Sequence, residues 1–218
     1  MYQPTHFKQD DLAALYQLIQ QYPLATLIVV VDGEVEVNHI PVEWVADASN
    51  LGLLKGHIAK ANPLADLLVQ EREAYLVFHA EQQYISPNGY ASKVIDHRAV
   101  PTWNYRVVHV KGQIKRVDDE IFLRGLLARL TRQHEASQTT PWTMSQAPKD
   151  YIRSELKEIV GIEIQITAIT GKFKLSQNQS EANAQSAAQH LNLTDPTMAD
   201  LIREHHPSAI QNPKKTPE

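Results

Sequence analysis

Two β-branched runs separated only by Asp32-Gly33 constrain this chain more than any other feature. LATLIVVV precedes the dipeptide and EVEVNHIP follows it. A two-residue connection joins antiparallel neighbours, whereas parallel strands need a crossover of about a dozen residues or more. Asp-Gly also supplies the positive φ angles that tight hairpin turns require. The sheet therefore begins as a hairpin, and an all-parallel α/β arrangement fits poorly.

The rest of the chain extends this start. Asp10-Asp11 leads into LAALYQLIQQY, where Leu12, Leu15, Leu18 and Ile19 share one helical face, and Pro23 ends the helix. The second strand alternates until Pro41. ADASN, residues 46–50, predicts a turn into a third strand, LGLLKGHIAK, and a hairpin centred near Ala48 would set His39 opposite His57. Asn62-Pro63 supplies a cap and a first-turn proline for a helix through LADLLVQER. EAYLVFHA predicts a fourth strand, and residues 81–99, rich in Pro, Asn, Gly and Ser, predict a long loop.

Alternation resumes at Val100 and runs to about Val117, where Asp118-Asp119 caps the helix EIFLRGLLARLTRQHE. PWTMSQAPKDYIRSEL is a weaker helical connection. Residues 159–175 restore the strand period, with Ile162, Ile164 and Ile166 on one face. After Asn178 the composition shifts to Ala, Gln, Asn and Ser, with helical patterns over 181–193 and 196–205 and a polar tail beyond. The expected organisation is a barrel domain over 1–178, a helical extension over 179–206 and a flexible tail over 207–218. The class is mainly β with peripheral helices (α+β), built as an antiparallel barrel.

Composition removes several functions. Lys plus Arg total 21 against 25 Asp plus Glu among 218 residues, a net charge of -4, so DNA binding has no support from charge. With no cysteine, disulfides, iron–sulfur clusters and thiol catalysis are excluded. No signal-peptide layout or bilayer-length apolar run is present, which predicts a soluble cytoplasmic chain with no membrane contact. The ten histidines show no metal-ligand spacing, so no metal site is expected, and neither a nucleophile elbow nor a Walker-type loop occurs. The last helical pair lacks the basic surface of a recognition helix, since TDPTMADLIREHH carries Asp195, Asp200 and Glu204 with one arginine.

Three segments carry chemistry. GHIAKANP, residues 56–63, joins a strand end to a helix N-terminus, where backbone N–H groups and Lys60 could receive an anion, although a capped helix with a solvated lysine is the commoner outcome. VPTWNYRVVHVKG, residues 100–112, sets Trp103, Tyr105, Val107 and His109 on one strand face and Thr102, Asn104, Arg106 and Val108 on the other. Such a strand can meet a flat heteroaromatic ring or a second subunit. KLSQN, residues 174–178, is a ligand clamp or a polar turn.

MYQPTHF, HIPV, GHIAKANP, YISP, VPTWNY, VHVKG, EIVGIEI and GKFKLSQN occur in the order seen in PaiB-type proteins. The chain thus resembles, from Met1 to about Asn178, a family of FMN-binding negative transcriptional regulators related to the FMN-binding split barrels. That resemblance implies an antiparallel split β-barrel, FMN as cofactor, and a homodimer whose protomers share the flavin groove. It places His39, Pro41, His57, Ile58, Ala59, Lys60 and Asn62 beside the flavin and its phosphate. Trp103, Asn104 and Tyr105 would give ring and edge contacts, with Lys174, Ser176 and Gln177 approaching the same cleft. A flavin reductase or pyridoxamine-phosphate-oxidase-like enzyme is the alternative reading, and a haem-binding split barrel the second alternative. Two positions depart from the family: Lys60 replaces an arginine that could contact phosphate in bidentate fashion, and Gly89 stands where a tryptophan is common.

Overall fold

The computed structural model describes residues 1–49 and 51–206; Asn50 of the expected ADASN turn and the expected 207–218 tail lie outside the described residues. The strands in chain order are β1 (Lys8–Gln9), β2 (Leu24–Val31), β3 (Glu34–Pro41), β4 (Glu43–Val45), β5 (Leu53–Ala59), β6 (Arg72–Ile85), β7 (Thr102–Val117) and β8 (Ile159–Lys174). The helices are α1 (Leu12–Gln21), α2 (Pro63–Leu67), α3 (Lys93–Asp96), α4 (Glu120–Glu135), α5 (Lys149–Lys157), α6 (Glu181–Leu191) and α7 (Pro196–His205). The chain forms two compact units. One contains Met1–Asp10, Ala80–Val107 and the described residues from Gly171 onward; the other contains Asp11–His79 and Val108–Thr170. The long strands β6, β7 and β8 contribute residues to both.

In the larger unit the strands follow the order β3-β2-β6-β7-β8-β5-β4. The expected hairpin is present: Val31 pairs with Glu34, and Asp32 and Gly33 take φ angles of 52° and 89°. α1 starts at Asp11, whose carboxylate accepts from the Ala13 N–H, and buries Leu15, Leu18 and Ile19. Leu12 is 38% exposed, because a residue at the first helical position stands beyond the packed face. Ala25, Leu27 and Val29 of β2 enter the core with Leu76, Phe78, Ile162 and Ile164, each fully buried leucine-sized side chain contributing about 2 kcal/mol. The opposite face stays apolar yet open: Val35 is 59% and Val37 53% exposed, and they pair with Val30 and Ile28.

Several expectations change. His39 stands opposite Thr26, not His57, because β3 pairs with β2 and ends at Pro41, after which β4 takes over the pairing with β5. Proline has no N–H with which to extend a ladder. α2 stops at Leu67, short of the helix expected through Arg72, and the Arg72 guanidinium closes its end by donating to the Leu67 carbonyl at 2.7 Å. The expected 81–99 loop is instead strand as far as Ile85, then a short 3₁₀ turn over Pro87–Gly89 and α3.

In the smaller unit β1 pairs with the end of β8, Lys8 against Lys172 and Gln9 against Gly171. α6 and α7 pack through small residues: Ala184, Ala187 and Ala188 are buried, as are Met198, Ala199 and Ile202. Ser180 and Asp195 cap the two helices through the Asn183 and Met198 N–H groups. α6 also covers the YISPNGY turn. Asn183 Oδ1 accepts from the Ser92 N–H at 2.9 Å, and a Cβ on Gly89 would lie 3.3 Å from His190 Cβ. A side chain at residue 89 would therefore press on His190 of this helix.

Candidate functional site

The sequence-predicted residues fall into two groups, one in each unit. The smaller unit holds Trp103, Asn104, Tyr105, Lys174, Ser176 and Gln177. β7 alternates there as expected, but its polar side is the buried one. Asn104 is 0% exposed while Trp103 is 53% exposed, its ring meeting Tyr84 edge-on at 5.8 Å. The strand lies between these two side chains, so the indole and the amide of one protomer face opposite directions.

Asn104 Nδ2 donates to Ser176 Oγ at 2.8 Å, and Asn104 Oδ1 has no partner although it is buried. A buried carbonyl without a donor costs roughly 1–3 kcal/mol, so it marks a place where a bound group's N–H fits. Ser176 takes φ 68°, a left-handed conformation uncommon outside glycine. Gln177 holds that turn: its Oε1 accepts from the Leu175 N–H and its Nε2 donates to the Phe173 carbonyl, both at 2.7 Å. The Gln177 amide is thus a positioning group, and KLSQN is a built turn.

Two lysines complete the group. Lys172 is buried and Lys174 half-buried, on the same side of β8 at i and i+2. Burial, and then the neighbouring Lys172 charge, push the Lys174 ammonium below its ordinary pKa. Lys174 Nζ donates to Thr102 Oγ1, and its charge lies over the Phe7 ring at 5.9 Å. Lys172 lies over Tyr105 at 5.4 Å. Neither ammonium has a carboxylate within ion-pair distance among the described residues. Lys172 was not singled out from sequence, although the alternation in GKFK places Lys172 and Lys174 on one strand face.

The larger unit holds His39, Pro41, His57, Ile58, Ala59, Lys60 and Asn62. Asn62 caps α2 by accepting from the Leu64 N–H at 2.9 Å, while its Nδ2 donates to Asn38 Oδ1 at 2.6 Å. The Lys60 N–H donates to the Glu158 carbonyl at 2.8 Å. These donors are therefore engaged within the protein. The Lys60 side chain lines a cavity of about 160 Å³ together with Asp118, Asp119, Glu120 and Lys157. Of these acids Asp118 is paired with Arg116 and Glu120 with Arg124, each at 2.7 Å. Ile58 is buried and Ala59 exposed. His57 Nδ1 is buried without a partner, and burial holds this imidazole below its ordinary pKa. His39 Nδ1 and Thr26 Oγ1 are 3.2 Å apart. Asn38 was the residue missed here.

The antiparallel eight-stranded sheet with flanking helices matches the split-barrel fold of flavin-binding proteins. The chain belongs to the family described as "Putative FMN-binding domain", which matches residues 1–168, and FMN is the cofactor of that family. It is 26% identical, over 94% of its own length and 97% of the relative's, to protease synthase and sporulation protein PAI 2 of Bacillus subtilis, the PaiB protein. Two solved structures share the fold. One is the conserved hypothetical protein Rv2991 of Mycobacterium tuberculosis, with TM-score 0.57, 13% identity, and coverage of 83% of this chain and 94% of that one. The other is the FAD and haem binding protein of Mycobacterium smegmatis, with TM-score 0.54, 18% identity, and coverage of 77% and 73%. Among the described residues no helix is long and apolar enough to cross a membrane, and no group of three or more His, Asp or Glu is placed to hold a metal.

Proposed function

We propose that this chain is a homodimeric, FMN-dependent redox protein in which Asn104 and Lys174 read the polar edge of the flavin ring. The carrying observation is the buried Asn104 Oδ1 without a donor, in a group that also presents two ammoniums without carboxylates. The ring edge of FMN has one N–H donor flanked by carbonyl acceptors. Asn104 would accept from that N–H, and Lys174 would donate to a neighbouring acceptor. Bound FMN supplies the electron and hydride chemistry. The Lys174 charge tunes that chemistry by favouring negative charge on the ring, more strongly because the ammonium is desolvated. Ser176 and Gln177 hold the turn in shape. Trp103, on the other side of β7 and 53% exposed, is then available to a second copy, as the shared groove requires, while the Tyr105 ring lies under the Lys172 ammonium.

This reading favours redox chemistry over direct operator recognition. The α7 arginine, Arg203, donates to Asp200 Oδ1 at 2.7 Å and also to Asn192 Oδ1, so its charge is engaged within the helical pair. A regulatory role of the PaiB type would then act through the state of the flavin. The test is an FMN titration followed by flavin fluorescence, with Asn104→Ala and Lys174→Met beside the native chain. Saturable binding that weakens about tenfold in each variant is expected, the equivalent of about 1.4 kcal/mol per lost contact. Native affinity in both variants would place the flavin elsewhere. Reduction of the bound flavin by a nicotinamide nucleotide, together with no sequence-dependent duplex binding at moderate salt, completes the expected result.

A further inference from the structure

The larger unit has two neighbouring cavities that none of the Asn104 group lines. The segment joining α4 to α5 lies along α4 and leaves a cavity on either side of Met144. The first, about 340 Å³, is lined by Arg124, Lys149 and Arg153 with Met144, Ala147 and Ile152. The second, about 300 Å³, lies under Pro141 and Trp142 against Ala128, Thr131 and Ala136; Met144 lines it too, as do the charged residues Arg132 and Glu135. One cavity therefore offers cations over an apolar floor, and the adjoining one is walled mainly by carbon. Lys149 and Arg153 are i and i+4 on α5, and neither has an ion-pair partner among the described residues, whereas Arg124 is held by Glu120 at 2.7 Å. Both cations are exposed and stand beside a cavity large enough for a small organic ligand.

We propose that these paired cavities bind an amphiphilic carboxylate, a medium-chain acyl anion, with its head at Lys149 and Arg153 and its chain passing Met144 toward Trp142. The guanidinium of Arg153 suits a carboxylate, and the unbranched thioether of Met144 adapts to a chain of variable length. Trp142 provides the apolar end wall. Its backbone N–H donates to Glu135 Oε2 at 2.8 Å, which ties the covering segment to α4.

The experiment titrates the full chain with decanoate below its micelle-forming concentration, following the amide resonances of residues 142–147 and 149–153 by NMR. Acetate and decanol serve as controls, and Lys149→Ala/Arg153→Ala is the test variant. Decanoate should shift resonances on both sides of Met144, the double variant should weaken it about tenfold or more, and each control should bind at least tenfold more weakly. A melting curve of the double variant establishes that it is folded, and Arg153→Lys, which keeps the charge, should retain an intermediate affinity. Absence of decanoate binding overturns the proposal. So does binding that the double variant leaves unchanged, or acetate binding as strong as decanoate.

Discussion

At the scale of single residues, polar side chains matter here mainly through burial. His57 and His109 are both held below the ordinary histidine pKa, first of all by burial. The unfolded chain takes up their protons near the usual value of about 6.5, whereas the folded chain resists protonation there. Below that pH the unfolded state binds more protons, so stability present at neutral pH is lost as the pH falls. The melting temperature should drop between about pH 7.5 and pH 5.5, and His57→Gln should flatten the slope. An unchanged slope in that variant would show that other groups carry the pH dependence. His57 could be singled out in the sequence, but its neutral state could not, because desolvation depends on strands packed around it. Gln177 shows the same limit: its amide was legible as a ligand group and is engaged by the backbone of its own turn.

At the scale of elements, two glycines illustrate separate constraints. Gly112, in β7, has no space for a side chain, since a Cβ would fall 2.5 Å from both the Gln165 carbonyl oxygen and Ile164 Cγ2 on β8. Gly33 has open space around it but takes φ 89° in the hairpin turn. Gly112→Ala should cost about 2–3 kcal/mol by forcing neighbouring strands apart, and Gly33→Ala about 1 kcal/mol through its dihedral alone. Urea unfolding of the two variants checks the order, and equal losses would contradict the close approach of β7 and β8. The turn role of Gly33 was readable from Asp-Gly beside β-branched runs, because the dipeptide acts locally. Gly112 stood only as a letter in VHVKG, since the atoms that exclude its side chain lie on a strand about fifty residues later in the chain. Likewise the 81–99 segment reads as loop by composition, while β6 continues through Glu81 to Ile85 because the strand is paired and Ile85 is buried.

At the scale of the whole molecule, the open apolar side of β2 and β3 is a face that a partner would cover. Val35 and Val37 expose more than half their surface beside Val30, an arrangement that an isolated sheet edge tends to satisfy by association. Light scattering should give the mass of two copies for the native chain. Val35→Lys/Val37→Lys should give one, with little loss of melting temperature because both residues are already exposed. A native monomer would remove the shared-groove arrangement. The sequence by itself determined the antiparallel hairpin, the kinds and order of most elements, the helix caps at Asn62 and Asp119, and through its motifs the FMN-binding family. Those features depend on neighbours a few residues apart, within reach of periodicity and capping rules. Only the tertiary structure decided that Asn104 meets Ser176 across 72 residues, that Lys172 and Lys174 lose solvent without gaining a carboxylate, and that Gly89 lies beneath α6. Burial and register are set by atoms distant in the chain, and no local pattern records them.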